Sequence, residues 1–366
     1  VCLEILEQYA PHVIELMHEL NATGCCEFLS EPYSHGLSSL VSRSVFKKEV
    51  QRMNDKIKEL FGQIPKVLRN SGLIYSNEIS EMAAQMGFKG MLSEGAKHIL
   101  AWKSPHFLYN SATAPGLKLL LRDYKLSDDL SLRFSNQAWS EYPLFAETYA
   151  DWIADFPKDE KIINLFMNLT AFGMAQPLSS NILEFMKALP ACAKERGITF
   201  STPTELVENE KSVGALDVPY PLSWMDEERD ASSWLGNSLQ NEAFNKLYSV
   251  AERVALSDDR KLKQDWDYLQ AADNFRYMTT KQNGIITEKC IYESPFDAFT
   301  NYMNILADFI TRVNAQYPED IDNEELNALL KMISNQNEEI AALNEEIAAL
   351  KSKPARKCKK KADAAE

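Results

Sequence analysis

A chain of 366 residues, 45% hydrophobic and with a formal net charge of −14, has enough apolar content for a large core and more than one domain. Its excess of carboxylates speaks against a general nucleic-acid binder, leaving only the extreme C-terminus basic. No run approaches the roughly 20 apolar residues of a membrane helix, so no membrane partner is expected. The six cysteines (2, 25, 26, 192, 290, 358) have neither metal-ligand nor disulfide-framework spacing, and read as reduced thiols of a cytoplasmic protein without metal or cofactor. Val1 falls inside an apolar-periodic helical segment, so the natural start is expected upstream.

Up to about Pro190, short apolar runs alternate with amphipathic helical stretches, the pattern of parallel strands with crossover helices. The fold class expected is α/β, in the form of a barrel. Candidate strands are "CCEFLSE", "KVLRNSG", "GFKGMLSE", "KLLLRDYKLS" and "INLFMNLTAF". Several run directly into polar residues: Glu31 and His35, Arg69 and Asn70, Glu94, Asp128 and Asp129. In a barrel these positions form the mouth of the site. From about Thr204 the chain turns to long charged amphipathic stretches with aromatic anchors, which read as a helical domain over 204–318 after a barrel region over 1–203.

The segment 319–352 carries a heptad pattern. "NEEIAAL" at Asn337 to Leu343 is repeated at Asn344 to Leu350, and the frame places Leu326, Ile333, Ile340 and Ile347 at a, with Leu329, Gln336, Leu343 and Leu350 at d. Ile at a with Leu at d favours a parallel dimer, so a homodimer is expected; a single helix docked on its own domain is the alternative. Residues 353–366 close the chain as a basic, low-complexity tail that reads as disordered.

The motifs "CEFLSEPYSH", "KVLRNSGLIY", "GFKGMLSEGAKHIL", "LLLRDYKLSDDLSLRFS", "DVPYPLSWMDEERD" and "YESPFDAFTNYMNIL" together resemble glycoside hydrolase family 57, in its α-amylase-type members. The resemblance runs from Val1 to about Pro318. It implies an incomplete (β/α)7 barrel followed by a helical region, acting on α-1,4-glucans with retention of configuration. The family's opening strand, with a His-Gln pair, would lie before Val1.

Retaining glycosidases attack the anomeric carbon with one carboxylate and protonate the departing oxygen with a second, about 5–5.5 Å away. The resemblance makes Glu94, in "LSEGA", the nucleophile. The acid/base belongs to a motif that in active members reads like "FMDYETFGEHQ". Here that motif is "FMNLTAFGMAQ": Asn168 stands at the acid/base, Leu169 at the tyrosine, Thr170 at the second acid, and Met174 and Ala175 at the Glu-His pair. An amide can donate a hydrogen bond but cannot deliver a proton. Two further departures are Gly72, where many members carry a glutamate, and Asn274, where α-amylase types tend to carry a histidine.

Glu31, His35, Arg69, Asn70, Trp102, Asp128 and Trp224 remain as candidate contacts for an α-glucan or maltooligosaccharide. Trp139 and Trp266 read as core, His12 and His18 as structural, and His98 as a weaker site candidate. Three functions stay open: a catalytically impaired α-amylase-like protein that binds glucan; a working α-glucan hydrolase or transferase in which Asp128, Asp129 or Asp226 substitutes as acid; and a coiled-coil scaffold with a relic barrel. A carboxylate facing Glu94 across a cleft separates the second from the first, and a core-filled mouth would favour the third.

Overall fold

The computed structural model describes residues 1–281, 291–317 and 323–351. The basic tail of 353–366 lies outside the described residues. The chain divides into two compact units: Val1–Tyr248 with Trp266–Leu306, and Ser249–Asp265 with the chain from Ala307 onward. No described helix is long and apolar enough to cross a membrane.

The first unit is built on a five-stranded sheet. Its strands are β1 (Val67–Leu68), β2 (Gly90–Glu94), β3 (Tyr109–Ser111), β4 (Lys118–Arg122) and β5 (Ala215–Leu216), in the order β1-β2-β4-β3-β5. β1, β2 and β4 run parallel, while β3 is antiparallel to β4 and parallel to β5. β2 is buried throughout, as expected of a parallel strand covered on both faces. The register pairs Leu92 with Leu120 and Glu94 with Arg122. Because side chains alternate along a strand, Leu92 and Glu94 share one face, as do Leu120 and Arg122. Leu92 and Leu120 join Val67, Leu73, Leu108 and Ile162 in a core on which Phe166 and Trp224 pack. Glu94 and Arg122 therefore stand at the carboxyl ends of their strands, on the face that carries this core.

Two of the strands expected from the sequence are reduced to isolated bridges. Ser30 in "CCEFLSE" and Asn164 in "INLFMNLTAF" bridge to Leu68 and Arg122, both parallel, and Phe172 makes a local bridge to Gln176. Side chains intercept the neighbouring ladder positions. Gln63 bonds the Phe28 N–H and the Cys26 carbonyl, and the Ser127 hydroxyl accepts the Phe166 N–H. These segments are extended, but their backbone groups are satisfied outside a continuous sheet.

The helix Arg43–Phe61 shows how the sequence sets an element. Val45, Phe46, Val50, Met53, Ile57 and Phe61 are all buried and recur at helical spacing. The Ser42 side chain accepts from the Val45 N–H at its start, and Gly62 ends it in the left-handed conformation, with its N–H on the Lys58 carbonyl. A second core forms where the helices Ala146–Ala154 and Ile182–Glu195 pack, with Tyr149 and Phe185 edge to face and Trp139 half-buried beside them. Buried Gln240 joins the helices that follow: its amide donates to the Ser233 and Phe275 carbonyls and its oxygen accepts from Gly236 and Asn237.

In the second unit, Val254, Leu262, Phe309 and Val313 are buried, and Arg253 donates to the Asn314 side chain. The helix Asn323–Lys351 is continuous, as the heptads predict, but its buried face follows another frame. Leu326, Leu330 and Ser334 are buried, four residues apart, and the helix packs on Ala251–Leu256 of the same unit. Ile333, Ile340 and Ile347 at a, and Leu329 and Leu343 at d, are exposed. The first turns thus dock within the monomer, because Leu326 and Leu330 lie on one helical face from which Leu329 and Ile333 are offset.

Gly72 fixes the turn after β1. Its φ is +58°, and a Cβ there would lie 2.3 Å from Cη2 of buried Trp234, so both conformation and space demand glycine. Gly72→Glu is therefore expected to destabilise the fold by about 3 kcal/mol or more, read as a lowered urea midpoint. A shift within error would show that Trp234 yields freely.

Candidate functional site

The turn after β4 is set by Asp123, whose carboxylate accepts the Leu126 N–H and starts the helix Tyr124–Asp128. One turn of helix returns Asp128 to the strand end. There the fully buried guanidinium of Arg122 donates to three groups: Glu94 Oε2 at 3.3 Å, Asp128 Oδ1 at 2.5 Å and the Phe166 carbonyl at 2.8 Å. It also lies over the indole of Trp224, 5.6 Å from the ring centroid. Arg229 holds this aromatic segment in place: it donates to the Trp224 carbonyl, bonds Asp128 Oδ2 at 3.5 Å and stacks on Tyr124.

A cavity of about 540 Å³ opens over this network, within the range of small-molecule sites. Arg69, Arg122, Leu92, Leu165, Phe166, Met167, Asn168, Thr170, Met174, Ala175 and Trp224 are among its lining residues. None of the described residues that line it carries a carboxylate. The neutral stretch forms one wall, held at both ends. Asn164 donates to the Leu121 carbonyl and accepts from the Asp123 N–H, while buried Gln176 donates to the Ser131 carbonyl and accepts from the Ser135 N–H. Between these anchors Gly173, at φ +107°, bonds its N–H to the Gln176 carbonyl. The Asn168 carbonyl accepts the Ala171 N–H in a short 3-10 turn, and its side-chain amide makes no hydrogen bond among the described residues.

The strand-end residues expected from the sequence are brought together in part. Glu94, Asp128 and Arg122 form one cluster; Glu31, His35 and Arg69 form another, with Arg69 Nη1 2.8 Å and His35 Nδ1 3.4 Å from Glu31 Oε2. Arg69, Asn168 and Trp224 line the cavity itself. Asn70 is buried and committed to the fold: its amide bonds the Ser39 hydroxyl and the Ile74 carbonyl, and its oxygen accepts from Ser71. Trp102 is 88% exposed, because Ala101 at φ +55° turns the chain outward after Leu100. His98 stacks near Tyr220 and lies outside the lining. Asn274 donates to the Tyr268 and Leu269 carbonyls of its own turn.

Three groups escaped the sequence reading. Arg122 and Arg229 are single arginines in charged surroundings, and nothing in periodicity says which carboxylates they meet. Buried His106 joins Asp123 at 2.7 Å and Glu160 at 2.6 Å; burial opposes its charge, but the two carboxylates hold its pKa above the ordinary imidazole value. The signal available was "SPHF" facing a strand-end aspartate. Among the described residues no group of three or more His, Cys, Asp and Glu is placed to hold a metal ion.

Electrostatics distinguishes the two carboxylate clusters. Burial alone would raise Glu31, but the hydrogen bond from His35 and the charge of Arg69 draw it down to about 2. At Glu94 burial prevails over the opposing pull of Arg122 and Arg229 and pushes the carboxyl up to about 7. Its Oε1 is buried without a hydrogen-bond partner among the described residues.

The fold and cavity define the class of α/β proteins that assemble a site at the carboxyl ends of parallel strands. Within that class the chain belongs to glycosyl hydrolase family 57, whose model matches residues 1–219. An α-amylase-like protein of Methanocaldococcus jannaschii is 35% identical over 324 residues, 84% of this chain and 68% of that protein. Among solved structures, the family 57 branching enzyme of Thermococcus kodakaraensis superposes with a TM-score of 0.62 at 14% identity, covering 90% of this chain and 74% of that one. The corresponding enzyme of Pyrococcus horikoshii gives 0.59 at 13%, covering 88% and 77%. The α-amylase AmyC of Thermotoga maritima gives 0.56 at 12%, covering 89% and 74%. At these identities the structural likeness bears on the fold alone.

The raised Glu94 carboxyl has a thermodynamic signature. A carboxyl whose folded pKa lies above its ordinary 4.5 binds its proton more tightly when folded, so stability falls as pH rises from about 4.5 to 7. Glu94→Gln is expected to remove this slope, leaving stability little changed at pH 4.5. The stability gained relative to wild type at pH 8 should approach 3 kcal/mol, about 1.4 kcal/mol for each pKa unit. Urea unfolding of both proteins across that range checks it, and parallel pH profiles would contradict it.

Proposed function

We propose that this family 57 protein is an α-amylase-like α-1,4-glucan binder on an incomplete (β/α)7 barrel, impaired in hydrolysis. The observation that carries this reading is a cavity without a carboxylate in its lining, with Asn168 in the wall at the position of the family's acid/base. Glycoside hydrolysis with retention needs a proton delivered to the departing oxygen, and acid catalysis is typically worth about 10²–10⁴-fold. Asn168 can donate a hydrogen bond to that oxygen and nothing more. The nucleophile position, Glu94, is retained but buried beside Arg122, and its raised pKa leaves it partly protonated near neutrality. Trp224 offers a flat apolar face to a glucose ring, and Arg69 and Thr170 offer directional partners.

A substitute acid is less well supported. Both oxygens of Asp128 accept from guanidinium groups, Asp129 is bonded to Arg133, and Asp226 to Ser233. None of the three lines the cavity. The open cavity likewise favours a binding role over a relic barrel.

Calorimetry should detect maltoheptaose binding while turnover of the same sugar stays at background. Asn168→Asp should raise turnover by no more than about tenfold, because Thr170, Met174 and Ala175 no longer orient or tune that carboxylate. Robust amylose hydrolysis by the unmodified protein, abolished by Glu94→Gln, would show that another group serves as the acid.

The helix Asn323–Lys351 is proposed to pair two chains through Ile333, Ile340, Leu343 and Ile347, which are exposed at heptad a and d positions. Sedimentation should give a dimer for the wild type and a monomer for Ile340→Lys with Ile347→Lys, since charges at consecutive a layers are costly to bury. Identical monomeric masses would remove the dimer.

A further inference from the structure

The ligand expected of the family is a sugar on both sides of the scissile bond, yet the wall of this cavity is unsuited to one on the leaving-group side. In a retaining glycosidase the acid/base stands beside the departing oxygen, so its position marks where the reducing-end portion of the ligand lies. Here that position is Asn168, and the surrounding wall is mostly apolar: Leu165, Phe166, Met167, Ala171 and Met174, with Thr170 among them. The apolar character continues outward: Leu169 is 87% exposed, Met174 74% and Leu178 63%. Met174 and Ala175 occupy the places of a Glu-His pair that would have met sugar hydroxyls. The apolar side chains of this wall gain most by covering an apolar group, and beside Asn168 and Thr170 they supply no partner for the hydroxyls of a second glucose.

Charge narrows the class further. Arg69 pairs with Glu31, and Arg122 with Glu94 and Asp128, so each arginine in the lining already has a carboxylate partner. Trp224 and Arg69, also in the lining, keep the features of a sugar subsite.

We propose that the cavity takes an uncharged α-glucoside whose reducing-end substituent is apolar, an alkyl or aryl aglycone, in preference to an unmodified maltooligosaccharide. This rests on the glucan-binding reading above and specifies its ligand.

The test is calorimetric titration of the whole protein with methyl α-maltoside, octyl α-maltoside and octanol, the octyl probes kept below self-association. Octyl α-maltoside is expected to bind at least tenfold more tightly than methyl α-maltoside, and octanol more weakly than either. Met174→Glu, a change at an exposed position, should reduce the octyl advantage to less than threefold. Equal affinity for the two maltosides would overturn the aglycone preference and leave glucan binding intact. An octyl advantage that survives in Met174→Glu would also overturn it, because the gain would then arise elsewhere. Binding of octanol as tight as that of octyl α-maltoside, or of neither maltoside, would overturn the glucan reading itself.

Discussion

One buried guanidinium organises this site. Arg122 is almost fully inaccessible, and a charge in that setting is tolerated only when its donors are satisfied by partners in good geometry. Its partners come from four places: the end of β2, the helix Tyr124–Asp128, the backbone of the neutral stretch, and the indole of Trp224. None of these segments is a neighbour of the others in sequence. The need to pair one cation brings them to a common point, and the cavity is the space they leave above it.

The neutral stretch separates residues that hold the framework from residues that line the cavity. Residues that hold its shape match the family pattern: Phe172, half-buried in the helical core; Gly173, whose backbone lies in the left-handed region; and Gln176, which bonds two backbone groups from a buried position. Four of the residues that line the cavity depart from it. Asn168, Thr170, Met174 and Ala175 all face the cavity, where a change of side chain costs the fold little. Packing and contact with the cavity thus fall on adjacent positions of one short segment.

Much of this was legible beforehand, for a physical reason. Strand-end polar residues are marked by the transition from an apolar run to a turn, which singled out Glu31, Arg69 and Glu94, whereas Asn168 was marked by the resemblance of its motif. Partnerships are not so marked. Asn70 looks as polar as Arg69 beside it, yet its amide is consumed by the fold, because the turn at Gly72 brings the Ile74 carbonyl to it. Trp102 has the residue type of a sugar platform, but a backbone reversal at Ala101 decides where it points. In the helix Asn323–Lys351 the heptads were plain in the sequence. Which face docks within the unit depends instead on side chains of a helix about 70 residues earlier, a contact that no local period encodes.

The turn at Gly72 ties two positions that are far apart in sequence. Trp234 fills the space that any side chain at position 72 would require, and the Gly72 carbonyl accepts the N–H of Trp224. A larger side chain at 72 would require Trp234 to shrink, which alone leaves a hole in the core, and it would still carry the strain of a positive φ. The two positions are thus coupled through space, and neither can change size without a cost at the other.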